Sequence, residues 1–146
     1  MAYCTSDDLK KGIPEAEIIR LTDDTNAGVM NTDNRDEAIN KAANEMDGYL
    51  GVKYLLPIAS PVPDILVELN KDIAIYKLYA RKKTEIPESV IKRRDDAIAF
   101  LKAVVKSEAT LGIQPPPAAP NEGEYEGAPQ VSTRHKMFGR RTMRKY

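Results

Sequence analysis

The sequence predicts a mainly α protein: a small helical bundle with three long helices and short N-terminal helices, followed by an extended C-terminal arm. Three observations lead there. Apolar residues recur at three- and four-residue spacing near 32–50, 64–80 and 87–108. Capping residues, glycines and prolines fall at the ends of those stretches, where helices start and stop. After residue 113 the periodicity ends. Residues 114–129, QPPPAAPNEGEYEGAP, are rich in Pro and Gly and behave as an extended linker. The organisation is a helical connector body at 1–113, a linker at 114–129 and a basic, aromatic-bearing docking arm at 130–146.

A chain of 146 residues makes one domain with a core large enough to fold without staples. Its formal net charge is zero, but the charge is unevenly spread. Residues 1–113 carry 16 basic against 19 acidic residues, a net −3. Residues 114–146 carry six basic against three acidic, a net +3. A single cysteine, Cys4, allows no intrachain disulfide and no thiolate metal cluster. The start of the chain lacks the basic and apolar regions of a signal peptide. No apolar run approaches the roughly 20 residues of a membrane span. The expectation is a soluble protein made in a reducing cytoplasm.

Thr5-Ser6-Asp7-Asp8 reads as a capping box. A short helix over 7–11 should stop at Gly12. Pro14 suits the first position of a second short helix, 14–20, with Glu15 and Glu17 near its positive end. Residues 22–33, TDDTNAGVMNTD, invite comparison with a calcium loop. With Gly28 as the turn glycine, the ligand positions hold Asp23, Thr25 and Ala27, and Asn34 closes the loop. A working site needs several carboxylates and a bidentate acid at the end. The segment therefore reads as a connector built on Asx-turns, and no metal site is assigned.

Asn31, Thr32 or Asp33 caps the next helix, whose packing face is Ile39, Ala42, Ala43, Met46, Tyr49 and Leu50, with Gly51 as its stop. Residues 52–60 form a loop with two apolar anchors. The sequence allows a strand at 52–56, but the prolines on its exit side argue against a central one.

The helix at 64–80 has two apolar faces. Ile65, Leu66, Leu69, Ile73, Tyr76 and Ala80 share one; Val67, Ala74 and Leu78 share the other. Polar stripes, among them Asn70 and Lys71, separate them. A surface helix has one apolar stripe. Two readings stand: a subunit interface through Val67, Ala74 and Leu78, or a fully internal helix of a small bundle. Arg81, Lys82 and Lys83 then read as a solvated basic helix end. Pro87 opens the last long helix, with Val90, Ile91, Ala97, Ile98, Leu101, Val104 and Val105 facing the core.

Chemistry is hard to place. The sole histidine, His135, lies in the arm with no neighbouring acid. No glycine-rich phosphate loop and no His/Cys zinc cluster is present in the sequence. Adjacent acids on a helix do not face one point, so paired-carboxylate catalysis is a poor reading of Asp7-Asp8 or Asp95-Asp96. The expectation is a non-enzymatic chain with no catalytic residues and no cofactor.

Several segments carry a resemblance. Tyr3-Cys4-Thr5 with Asp8-Leu9, then Ile19-Arg20-Leu21-Thr22-Asp23, form one. Asp47-Gly48-Tyr49-Leu50, followed by Lys53-Tyr54 and Leu56-Pro57, form a second. Asp72-Ile73-Ala74, Tyr76 and Leu78-Tyr79 form a third. Phe138-Gly139-Arg140-Arg141, Met143-Arg144 and Tyr146 form a fourth. In order and spacing these resemble a Mu-like phage and prophage structural family, grouped with the head–tail connector (adaptor) proteins of tailed phages. The resemblance implies a helical adaptor that docks under the portal protein as a homo-oligomeric ring, commonly of twelve subunits. Such a ring extends the DNA channel without sequence-specific DNA binding and presents a surface to a downstream neck or tail protein. The implied location is the virion neck, after assembly in the host bacterial cytoplasm, with no membrane contact.

The arm fits a docking role. Arg134, Lys136, Met137, Phe138, Arg140, Arg141, Met143, Arg144 and Tyr146 interleave cations with apolar anchors, and they are the candidate partner-binding residues. The alternative is a nucleic-acid-binding module whose basic C-terminal tail neutralises phosphates.

Overall fold

The computed structural model describes residues 2–113, which fall within one unit, Met1–Pro116. Five helices follow in order: α1 (Ser6–Gly12), α2 (Glu15–Thr22), α3 (Thr32–Leu50), α4 (Asp64–Lys82) and α5 (Glu88–Val105). Among the described residues there is no strand, and 52–56 is turn and loop. The segment cannot extend into a strand because its backbone folds back on α3: Val52 N–H donates to Tyr49 O, and Lys53 and Tyr54 N–H both donate to Leu50 O.

Helix starts follow local chemistry. The Thr5 capping box forms, with the Thr5 N–H donating to Asp8 Oδ2 at 2.9 Å and the Asp8 N–H to Thr5 Oγ1 at 3.4 Å. Asn31 caps α3 through its side chain, which accepts from Asn34 N–H at 3.1 Å. Pro14, Pro63 and Pro87 are themselves the N-caps of α2, α4 and α5, without a side-chain cap. Each carbonyl still accepts the first helical bonds, from Ile18, Val67 and Ile91. Thus α2 starts one residue later than predicted, at Glu15 rather than Pro14.

Helix ends depart further. Gly12 is the last residue of α1, and its role is close approach. A Cβ there would stand 2.6 Å from Ile75 Cδ1, so a larger residue would have to push that side-chain tip aside where α1 seats against α4. The last helix ends at Val105, short of the predicted 108. Ser107 takes a positive φ of 64°, and Glu108 and Ala109 N–H fold back onto Ala103 O at 2.9 and 3.3 Å.

α4 is the centre of the described body. It packs against all four other helices, α3 most extensively. Leu66, Ile73, Ala74, Ile75 and Leu78 are fully buried on it. The two apolar faces are therefore both internal. Ala74 and Leu78 lie inside the protomer and have no surface to give a second subunit; only Val67 keeps partial exposure. Ala74 and Leu78 thus serve inter-helix packing, one of the two roles the sequence left open for this face, and half-buried Val67 stays at the surface. Conversely, Ile65 and Ala80, placed on the first core face, are exposed. The polar stripes are also partly internal. Asn70 is buried with its Oδ1 accepting the Cys4 N–H at 3.1 Å, and buried Lys71 pairs with Glu68 beside Gly12. The N-terminal segment and α1 cover that side, which periodicity cannot report. On α5, Ile91 is exposed at 39%, and the core side is Val90, Ala97, Ile98, Leu101 and Val104.

Candidate docking surface

The polar groups of the body are largely committed to holding it together. In the loop between α2 and α3, the Asp23 carboxylate accepts from Thr25 N–H at 2.9 Å and Gly28 N–H at 2.7 Å, an Asx-turn as predicted. Burial raises the Asp23 carboxyl, but the backbone donors Gly28, Ala27 and Thr25 outweigh it and hold it below the ordinary range. Asp24 is held low chiefly by the donating Arg81 guanidinium, against the opposing effect of burial. Arg81 Nη1 also donates to Leu21 O at 3.2 Å, and Lys82 Nζ donates to Asp23 O at 2.5 Å. These two cations clamp the negative end of α2 to the end of α4. The reading of 81–83 as a solvated basic end is corrected for Arg81 and Lys82.

A second network joins α3, α4 and α5. Lys77 Nζ lies 2.6 Å from Glu45, Arg94 lies 3.7 Å from Glu45, and the Arg94 guanidinium sits 5.1 Å from the Tyr76 ring centroid. A recess of about 80 Å³ lies nearby, lined by Asn34, Glu37, Ala38, Lys41, Lys77 and Arg81. Its cations already pair with Glu37, Glu45 and Asp24, so the recess offers no uncompensated charge.

At the N-terminus, the Tyr3 hydroxyl donates to Asp47, and burial, then that carboxylate, pushes the phenol up. Burial, then the nearby Asp8 charge, pushes the Cys4 thiol up to about 12. A buried thiol so protonated is not a nucleophile.

What remains is the connection between α3 and α4. Gly51 closes α3 in a right-handed conformation, φ −61°. A Cβ there would stand 3.1 Å from Asp47 O and 3.3 Å from Leu56 Cδ1, so Gly51 lets the loop return tightly over the helix end. Tyr54 and Ile58 are buried and anchor the loop from inside. Lys53 Nζ straps it to the end of α5, 3.4 Å from Val104 O and 3.2 Å from Ser107 Oγ. The residues between these anchors face outward: Val52 is 69% exposed, Leu55 73% and Leu56 38%. Ile65, in the first turn of α4 at the same end of the bundle, is exposed at 40%. Several large apolar side chains exposed together at one end of a small body mark an interaction site, where a single exposed one would not. The loop is the candidate site of the body.

None of these residues was read from the sequence as a binding residue. A signal was present in VKYLLP: of the five residues before the proline four are apolar, and in a tight, proline-closed loop they cannot all turn inward. The predicted partner-binding residues from Arg134 to Tyr146 lie outside the described residues. No described helix is long and apolar enough to cross a membrane.

No curated protein matches the chain. The family described as Bacteriophage Mu, Gp36 matches residues 3–128, which takes in every described helix and the apolar loop. The match ends before the 130–146 arm, so the terminal Phe138–Tyr146 resemblance stands outside it. With most of the chain matched, including the whole helical body, this protein belongs to the bacteriophage Mu Gp36 family.

Proposed function

We propose that this phage-family protein is a structural head–tail connector, an adaptor that forms a ring under the portal, extends the DNA channel and links head to tail in the virion neck. Membership of the Mu Gp36 family carries the reading. The helical body supports it, as does an exposed apolar loop at one end, which suits a part that works by contact. In this reading the chain is not an enzyme and takes no cofactor. Its partners are copies of itself, a portal protein and a downstream neck or tail protein, and DNA passes through without sequence-specific binding. Native mass measurement and negative-stain electron microscopy of the purified full chain, alone and mixed with a portal, test it. Rings, alone or on the portal, are the expected result. A protein that stays monomeric in both conditions sinks the reading.

One observation favours a second reading, a nucleic-acid-binding module: residues 130–146 hold six Lys or Arg and no acid. Neutralising phosphates releases counterions, so that reading requires DNA affinity that falls steeply with salt. Concentration-dependent ring formation without DNA favours the connector.

A further inference from the structure

We propose that the apolar loop between α3 and α4 is the receptor for the 130–146 arm of a second copy of this chain. The inference rests on the connector reading and adds which surface joins one copy to the next.

The receptor is built before anything binds. Tyr54 and Ile58 are buried beneath the loop, and Lys53 ties it to Val104 O and Ser107 at the end of α5. Val52, Leu55 and Leu56 are thereby held outward on a fixed backbone, which lowers the ordering cost of association. Ile65 extends the apolar surface onto α4, with the exposed acids Asp64 and Glu68 on the same turn of helix.

The occupant is chosen by chemistry and reach. The arm carries Met137, Phe138, Met143 and Tyr146, anchors of the kind that fill apolar interface pockets. Its six cations, with no acid, face a body of net −3, so arm and body of different copies attract.

Reach makes a neighbour's loop accessible. The described chain leaves α5 and ends at Ile113, which packs against the core. The Lys53 bonds to Val104 and Ser107 place this exit at the loop end of the bundle. Residues 114–129 then span about 50 Å at roughly 3 Å per residue in extended form. A body of this size has a radius of gyration of only about 13 Å. A linker of that length exceeds the body's width and lets the arm reach the next copy's loop; a link within one chain is the outcome that would place it on its own.

Disulfide trapping on full-length protein tests this. Leu55→Cys and Phe138→Cys are made separately, mixed and oxidised. Cys4, the chain's one native cysteine, is buried and does not compete. The expected product is a covalent dimer holding one of each variant. Ile91→Cys, exposed but on α5, should give none with Phe138→Cys. In a second measurement, Leu55→Asp should keep the wild-type helical signal and weaken self-association at least tenfold. A link within one chain of the double variant, with none between chains, overturns the proposal in favour of a self-docked arm. Equal trapping by Ile91→Cys overturns it as non-specific. Rings that form without any Leu55–Phe138 link overturn it too, and leave the connector reading intact. A link without rings, alone or with a portal, keeps the docking contact and removes the connector reading.

Discussion

Single residues in this protein act mainly by satisfying backbone ends. Asp8 is the clearest case. It serves the Thr5 N–H and hydroxyl and pairs with Lys11 at 2.8 Å. The Lys11 ammonium, then the Thr5 hydroxyl and N–H, pull its carboxyl from 3.8 down to about 2. A carboxyl lowered on folding stabilises the fold above its unfolded value and loses that contribution as pH falls through its folded value. The Asp8 contribution should be complete above pH 4 and vanish as pH falls toward about 2. Asp8→Asn should therefore be less stable than wild type at pH 7, and chemical denaturation at stepped pH should show the two converging below pH 4. Parallel curves down to pH 2 would contradict the assigned role. Loss of the cap itself, in Thr5→Ala, should cost about 1 kcal/mol. Asn70 shows the other side of the same logic. Its Oδ1 satisfies the Cys4 N–H, yet its Nδ2 is buried with no partner among the described residues. Nothing in the structure explains that orphaned donor.

Elements draw their stability from α4. Because it touches every other helix, an error on it is felt everywhere. Ile73 is fully buried on α4. Ile73→Asp would place an unpaired carboxylate in the core, at a cost on the order of 3 kcal/mol or more. Thermal melts followed by circular dichroism should show a large loss of stability or no folded state. A variant that melts like wild type would mean α4 is not the centre of the core. By contrast Ile65, exposed in the first turn of the same helix, should tolerate Ile65→Asp within about 0.5 kcal/mol.

At the scale of the whole molecule, the body and the arm have separate duties in the connector reading. Truncation after Ile113 keeps all five helices and the buried Leu111. The truncated chain should retain the helical signal of the full protein, measured per folded residue by circular dichroism. It should also fail to join heads to tails in an assembly assay. Infectious particles at normal yield from the truncated protein would remove the docking role of 130–146.

By itself the sequence determined the helices, their order and most of their starts. Those are local matters: Thr5 and Asn31 reach only three residues along the chain, and a proline sets its own φ. It also showed that the helix at 64–80 has two apolar faces, since angular position follows from spacing alone. What covers each face depends on segments far away in the chain, and only the tertiary structure decided it. The second face packs inside the protomer, so Ala74 and Leu78 left the candidate interface. Asn70 and Lys71 went inward because the N-terminal segment and α1 lie over them. Arg81 and Lys82 became a clamp because the end of α2, sixty residues earlier, is brought to them. The apolar loop points outward for the same reason: the sites beneath it were already taken by Tyr54 and Ile58. Periodicity reports where a side chain points around its own axis, and long-range packing alone determines what it meets there.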